Sequence, residues 1–188
     1  MAAAFGVIAM VSFALQAPAT EPDILEPDPL LSAKLKLAAA DAQSFDNLYD
    51  AQVWLASKDL LLFKLIKNPD QRLQLSKLIH REASRANLAP QIVLALIEVE
   101  SGFDSYAVSS AGAQGMMQVI PFWKKEIGRP GDNLINTATN LRYGCTILRH
   151  YLDLEQGRIA DALARYNGSY GQYWYAERVL DAWAERWR

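Results

Sequence analysis

Apolar positions recur at helical spacing along most of this chain, and no stretch of useful length alternates in the manner of a strand. The pattern is sharpest from Pro90 to Gly102. Proline suits a first helical position, where its missing N–H is not needed. Glycine suits the C-terminal stop, where it accepts left-handed backbone. At about 100° per residue, Ile92, Val93, Leu96 and Val99 share one face of this helix. Glu100 falls among them, four residues after Leu96 and seven after Val93. Glu98 points to nearly the opposite side and reads as an ordinary solvated glutamate.

Upstream, helical patterns run from about Leu31 to Ala40 and from Phe45 to Ile66. The second carries Leu48, Val53, Leu55, Leu60, Leu61 and Leu62, with Trp54 and Phe63 alongside. It is expected to brace the main domain; a partner-binding helix is the alternative. Asn68-Pro69-Asp70-Gln71 joins a capping amide, a first-position proline and a first-turn acid, and predicts a helix to about Ala86. Downstream, helices are expected over Pro121–Ile127, Thr137–Leu154, Ile159–Tyr166 and about Gln172 to Trp187. Their inward positions are Leu141, Cys145, Leu148 and Leu152, then Ala160, Leu163 and Ala164, then Val179, Leu180 and Trp183.

Met1 to Thr20 carries no charge, and Ala2 to Leu15 is an apolar run short of the roughly 20 residues a membrane span needs. Residues 1–19 are expected to be a secretory signal peptide, with Ala17-Pro18-Ala19 as a cleavage site. No Lys or Arg precedes the run, and an uncleaved anchor is the alternative. Glu21 to Leu30, acidic and holding Pro22, Pro27 and Pro29, reads as an extended linker. Residues 20–70 then form linker and N-terminal helical extension, and 71–188 the main domain.

The formal net charge of −2 argues against a nucleic-acid binder relying on a basic field. Cys145 is the only cysteine, so no intramolecular disulfide can form, and it reads as a small buried hydrophobe. His80 and His150 lack ligand-like spacing and any motif relation to Cys145, so neither a metal site nor a thiol nucleophile is expected.

Candidate chemistry centres on Glu100. Burial disfavours an ionised carboxylate, and so does the negative end of a helix dipole; both raise the pKa. A glutamic acid still protonated near neutral pH is what a general acid requires. The competing reading is a partly exposed helix-end glutamate paired with an arginine. In the loop Phe103 to Gln118, Gly112 and Gly115 permit close ligand approach, and Ser109, Ser110 and Gln118 offer donors and acceptors. A structural loop closing over the helix end has the same composition.

Glu100-Ser101, then Gly112-Ala113-Gln114-Gly115-Met116-Met117-Gln118-Val119-Ile120-Pro121, then Tyr166-Asn167-Gly168 resemble, in order and spacing, three signatures of the lytic transglycosylase SLT domain. That family belongs to the goose-type lysozyme-like superfamily (glycoside hydrolase family 23), and the resemblance covers roughly residues 75 to 188. It implies an all-α, lysozyme-like (goose-type) helical domain, here with an N-terminal helical extension and with Thr137–Leu154 as its central helix. It implies Glu100 as the catalytic residue and Ser109, Gln118, Tyr166 and Asn167 as substrate-binding residues. Gln118 would contact the sugar, Ser109 would hydrogen-bond near the acid, and Tyr166 would reach the carboxylate or an N-acetyl group. Asn167 is also placed to anchor the turn, and Ser101 to cap or orient the end of the helix. The larger members of the family it resembles have a longer segment after the Tyr-Asn pair and often a second glutamate just before a Tyr-Val pair. Here Gly171-Gln172-Tyr173-Trp174-Tyr175 stands there, so Glu177 does not take that role and a more open groove is expected. Trp174 and Tyr175 either stack on a glycan or pack in the core.

Ordinary glycosidases set two carboxylates across the scissile bond. Only Glu100 has both position and motif; Asp104, before Ser105, is expected to cap a turn. One acid suffices if the substrate supplies its own nucleophile. The resemblance thus implies a peptidoglycan lytic transglycosylase that cuts between N-acetylmuramic acid and N-acetylglucosamine and leaves 1,6-anhydromuramyl ends. Glycan strands are the expected partner, with no cofactor, metal, nucleic acid or stable membrane span. A periplasmic monomer is expected, membrane-associated if the signal stays uncleaved. Three rivals remain: a hydrolytic lysozyme using Asp104 to position water, a non-catalytic glycan-binding module, and an assembly protein built on the Phe45–Ile66 helix.

Overall fold

The computed structural model describes residues 48–129 and 131–188; the expected signal, linker and 31–40 helix lie outside the described residues. Among the described residues the chain is all-α, as the sequence predicts. In place of strands there are two isolated bridges, Val108 with Gln114 and Gln114 with Val119. Helix α1 spans Leu48–Leu62, α2 Pro69–Arg85, α3 Pro90–Ser101, α4 Pro121–Ile127, α5 Thr137–Leu154, α6 Ile159–Asn167 and α7 Trp174–Ala182. A π-helical turn, Trp183–Trp187, follows α7 directly. None of these helices is long and apolar enough to cross a membrane.

Helix ends follow local chemistry. The Asn68 side chain accepts from the N–H groups of Asp70 and Gln71 at 2.9 and 3.1 Å, starting α2 as expected. Asn136 accepts from Thr139 N–H at 3.0 Å and starts α5. Gly102 closes α3 in the left-handed region, φ 58°.

The enclosed helix is α3. Ile92 through Ile97 are all buried, so α3 has no watered side over that stretch, where the sequence pattern had suggested one buried face. Helix α2, α7 and the π turn pack around it, while α5 lies against α2 and α6. The central position expected for α5 therefore belongs to α3. Leu141, Cys145 and Leu148 of α5 are buried as expected, and burial pushes the Cys145 thiol well up in pKa.

Two further expectations need correction. The last helix passes from α7 into a π turn; of its expected inward positions Val179 is buried and Leu180 and Trp183 pack half-buried against the core, while Trp187, not among them, is the deepest tryptophan. Trp187 is anchored because its indole Nε1 donates to Glu98 Oε2 at 2.6 Å, and Arg186 pairs with Glu98 at 2.8 Å. Glu98 is thus a tether for the C-terminal turn and not a free solvated acid. At the end of α1, Leu62 is fully buried, but Leu60, Leu61 and, just beyond the helix, Phe63 are exposed. The helix attaches through Leu62, through Lys58, whose Nζ donates to the Trp187 carbonyl at 3.4 Å, and through Asp59, paired with Arg72 at 2.6 Å.

A buried charge joins α2 to α5. Glu82 is fully enclosed and meets Arg85 at 2.8 Å, Arg81 at 3.1 Å and Arg142 at 3.3 Å. Burial alone would raise its pKa, but the hydrogen bonds and charges of Arg142 and Arg85 outweigh it, and the net shift is downward. Glu82→Gln leaves these guanidinium groups without their counter-charge and should cost about 3–5 kcal/mol in urea unfolding. A folded pKa below the ordinary carboxylate value stabilises above that value and is lost as pH falls through the lowered one. The wild-type protein should therefore lose stability in acid more steeply than Glu82→Gln; parallel curves would contradict this role.

Candidate active site

Glu100 lies in the last turn of α3, one turn beyond the enclosed stretch, and is half-buried. The Tyr175 hydroxyl, brought by α7, donates to its Oε1 at 2.5 Å. Burial pushes the Glu100 pKa up to about 7, against the opposing effects of the Tyr175 hydrogen bond and the Arg178 charge. The negative end of α3 acts in the same direction as burial. A carboxyl balanced in this way carries its proton for much of the time at neutral pH and can both give and take one.

The loop from Phe103 to Gln118 wraps this end of the helix. Ser101 Oγ donates to the Met116 carbonyl at 2.8 Å and ties the loop to the helix end, as its expected orienting role requires. From behind, Asn140 of α5 is fully buried and spends its whole amide on the loop base. It accepts from Met117 N–H at 2.7 Å and donates to the carbonyls of Gln114 at 2.7 Å and Leu134 at 2.9 Å. Gly115 is required beside it: a Cβ there would sit 2.5 Å from the Leu134 carbonyl oxygen and 2.6 Å from Asn140 Nδ2. Gly144 leaves the space that the Met117 side chain fills.

The expected binding residues divide by what occupies their polar atoms. Tyr166 donates its hydroxyl to the Met117 carbonyl at 2.7 Å; burial, then the nearby Glu100 charge, raise its pKa. It therefore stands beside the acid but spends its proton on the loop. Gln118 takes left-handed backbone, φ 47°, and its Nε2 donates to the carbonyls of Ala107 at 3.1 Å and Gly115 at 2.9 Å. Both neighbours are acceptors, so the amide nitrogen must face them and Oε1 faces away. Ser109 Oγ accepts from Ala113 N–H at 3.0 Å, closing a turn of the loop and keeping its own O–H proton to donate. Asn167 is exposed, immediately before the left-handed Gly168, φ 82°. Asp104 Oδ1 accepts from Tyr106 N–H at 2.8 Å, the turn cap expected of it.

Two residues were not assigned from sequence. Tyr175 was left between glycan stacking and the core; its ring is buried, and its hydroxyl makes the direct contact with Glu100. Asn140 lies within the apolar pattern of α5, where a polar amide one residue before buried Leu141 is the kind of interruption that marks a buried network. A cavity of about 390 Å³ also opens between α2 and the loop. Phe103, Ser105, Tyr106 and Met116 form part of its wall, and Glu100 does not. It is therefore a separate feature from the acid's surroundings.

Because the Tyr175 hydroxyl stabilises the ionised form of Glu100, Tyr175→Phe should raise the Glu100 pKa further. If Glu100 acts as an acid, the fall of kcat/KM on the basic side should move to higher pH in Tyr175→Phe. An unmoved limb would mean that Tyr175 is packing only.

A family model described as Transglycosylase SLT domain matches residues 77–181. The transglycosylase of Enterobacteria phage PRD1 is 31% identical over 100 residues, covering 53% of this chain and 37% of that protein. Membrane-bound lytic murein transglycosylase C of Actinobacillus pleuropneumoniae serotype 5b (strain L20) is 48% identical over 44 residues, 23% of this chain and 12% of that one. This chain thus spans roughly an eighth to a third of the length of these relatives. Among solved structures, the 70 kDa soluble lytic transglycosylase of Escherichia coli aligns with a TM-score of 0.46 at 20% identity, over 72% of this chain and 24% of that one.

Proposed function

This chain belongs to the Transglycosylase SLT domain family, and from that membership and the setting of Glu100 we propose that it is a peptidoglycan lytic transglycosylase. The observation that carries the proposal is a carboxyl group with a pKa near 7 at a helix end, hydrogen-bonded by Tyr175 and overhung by the loop that holds Gln118. Its substrate is the glycan strand of peptidoglycan, cut at the β-1,4 bond between N-acetylmuramic acid and N-acetylglucosamine. Glu100 donates its proton to the glycosidic oxygen as the bond from C1 breaks. The resulting carboxylate then takes the proton of the muramyl C6 hydroxyl as O6 bonds to C1. Glu100 ends as it began, and the product carries a 1,6-anhydromuramyl end.

The same group serves both steps because its pKa lies near the working pH, where neither gaining nor losing a proton is steeply uphill. Gln118 Oε1 and the Ser109 hydroxyl proton supply an acceptor and a donor for the sugar. Tyr166, within reach of the Glu100 charge, fixes the Met117 carbonyl of the loop, and Asn167 is exposed. Asp104 is engaged by Tyr106 N–H in a turn, which weighs against a water-activating partner and hence against hydrolysis. Residues 1–19 direct export, residues 20–70 link and brace the catalytic domain at 71–188, and the site of action is the periplasm. The enzyme works as a monomer without metal or cofactor.

Digestion of isolated cell-wall sacculi tests this reading. Mass spectrometry should find anhydromuramyl ends, one water lighter than the reducing ends a hydrolase leaves. Glu100→Gln should lower release by about 10²–10⁴-fold. Reducing ends as the main product, or an undiminished Glu100→Gln enzyme, would overturn it.

A further inference from the structure

The segment joining α6 to α7 exposes more aromatic surface than any folding role explains. Tyr170, Tyr173 and Trp174 are each about half exposed, although they sit within five consecutive positions. Exposed rings on a connecting loop are ordinarily free to turn. These are held. The Tyr173 hydroxyl donates to Asp161 Oδ1 at 2.7 Å. The Arg165 guanidinium stacks over the Tyr170 ring at 3.8 Å, and Arg165 is itself paired with the buried Glu155. The Trp174 ring stands edge-on to the Tyr175 ring, with centroids 6.0 Å apart. The Tyr175 hydroxyl in turn bonds Glu100. An unbroken line of contact therefore runs from the exposed indole to the reacting carboxyl.

Exposed aromatic rings held in this way, Tyr170 by Arg165, Tyr173 by Asp161 and Trp174 against the Tyr175 ring, are preorganised for a flat, partly apolar ligand: their ordering entropy is lost in the free protein and not on binding. A pyranose ring presents such a face, with axial C–H groups on one side and hydroxyls around its edge. Aromatic rings bury that face while leaving the hydroxyls in water. No cation or anion is offered outward by the indole, so charged stems or phosphate are poor matches.

We propose that Trp174, supported by Tyr170 and Tyr173, is a stacking platform for a sugar of the glycan strand adjoining the bond at Glu100. It sets how tightly and in which register the strand lies. The proposal rests on the glycan-cleaving role of Glu100 and adds a specificity-determining surface to it.

The test uses the full chain carrying Glu100→Gln, which binds without turnover, and peptide-free glycan strands as the probe in titration calorimetry. Adding Trp174→Ala should weaken binding by about tenfold or more, and adding Trp174→Phe should recover affinity to within about threefold of the parent. With Glu100 restored, Trp174→Ala should raise KM by a similar factor with kcat changed far less, because stacking acts alike in ground and transition states. Near-ultraviolet circular dichroism and the melting temperature of Trp174→Phe guard against an unfolded variant. If the wild-type enzyme cleaves sacculi while Trp174→Ala keeps both affinity and KM, the platform is overturned and the role of Glu100 stands. If the wild-type chain neither binds strands nor cleaves sacculi, both fall together.

Discussion

The enclosure of α3 is the constraint on which the rest depends. From Ile92 to Ile97 every side chain is buried, and Glu100 sits where the C-terminal end of the helix emerges from the core. A carboxylate at that point loses part of its hydration and faces the negative pole of its own helix. Tyr175 and Arg178 give back some of what is lost. The balance brings Glu100 from the ordinary 4.5 to about 7, which corresponds to at most about 3 kcal/mol against the ionised form, reduced by the screening its partly exposed edge receives. In linkage terms, the raised pKa favours the folded state below the ordinary value and loses that benefit as pH rises through the folded one. The acid is therefore maintained against a modest stability loss at neutral pH, which the surrounding packing offsets.

The other side of the site is a loop whose shape is imposed from beneath. Asn140 reads three backbone groups at once, Gly115 lets that amide approach, and Gly144 admits Met117. Tyr166 and Gln118, rather than pointing all their polar atoms at a ligand, spend their donors on loop carbonyls. What remains outward is an acceptor from Gln118 and the hydroxyl proton of Ser109. The acid is held by α3 with α7 and the loop by α5 with α6, and Ser101 of α3 ties the two together through the Met116 carbonyl.

Much of this was legible in the chain before any coordinates. Pro90 and Gly102 bracket α3, Asn68 caps α2, and the interruption of an apolar face by Glu100 marks the acid, because each of these signals is local. What escaped was long-range. Tyr175 meets Glu100 across 75 positions, Asn140 meets Met117 across 23, and Trp187 meets Glu98 across 89. Helical periodicity says which side of a helix is greasy but not which neighbour's polar atom arrives there. That is why Glu98 looked solvated, and why Tyr175 was undecided between a sugar and the core. The apolar residues at the end of α1 misled for a related reason: Leu60 and Phe63 follow a buried pattern, yet only Leu62 meets the described core.

The central claim is that the Glu100 side chain holds its proton near neutrality. Carbon-13 NMR titration of the glutamate side-chain carboxyls, with Glu100→Gln identifying the resonance, measures this directly. A midpoint of about 7 is expected for Glu100. A midpoint at the ordinary carboxylate value of 4.5 would contradict it.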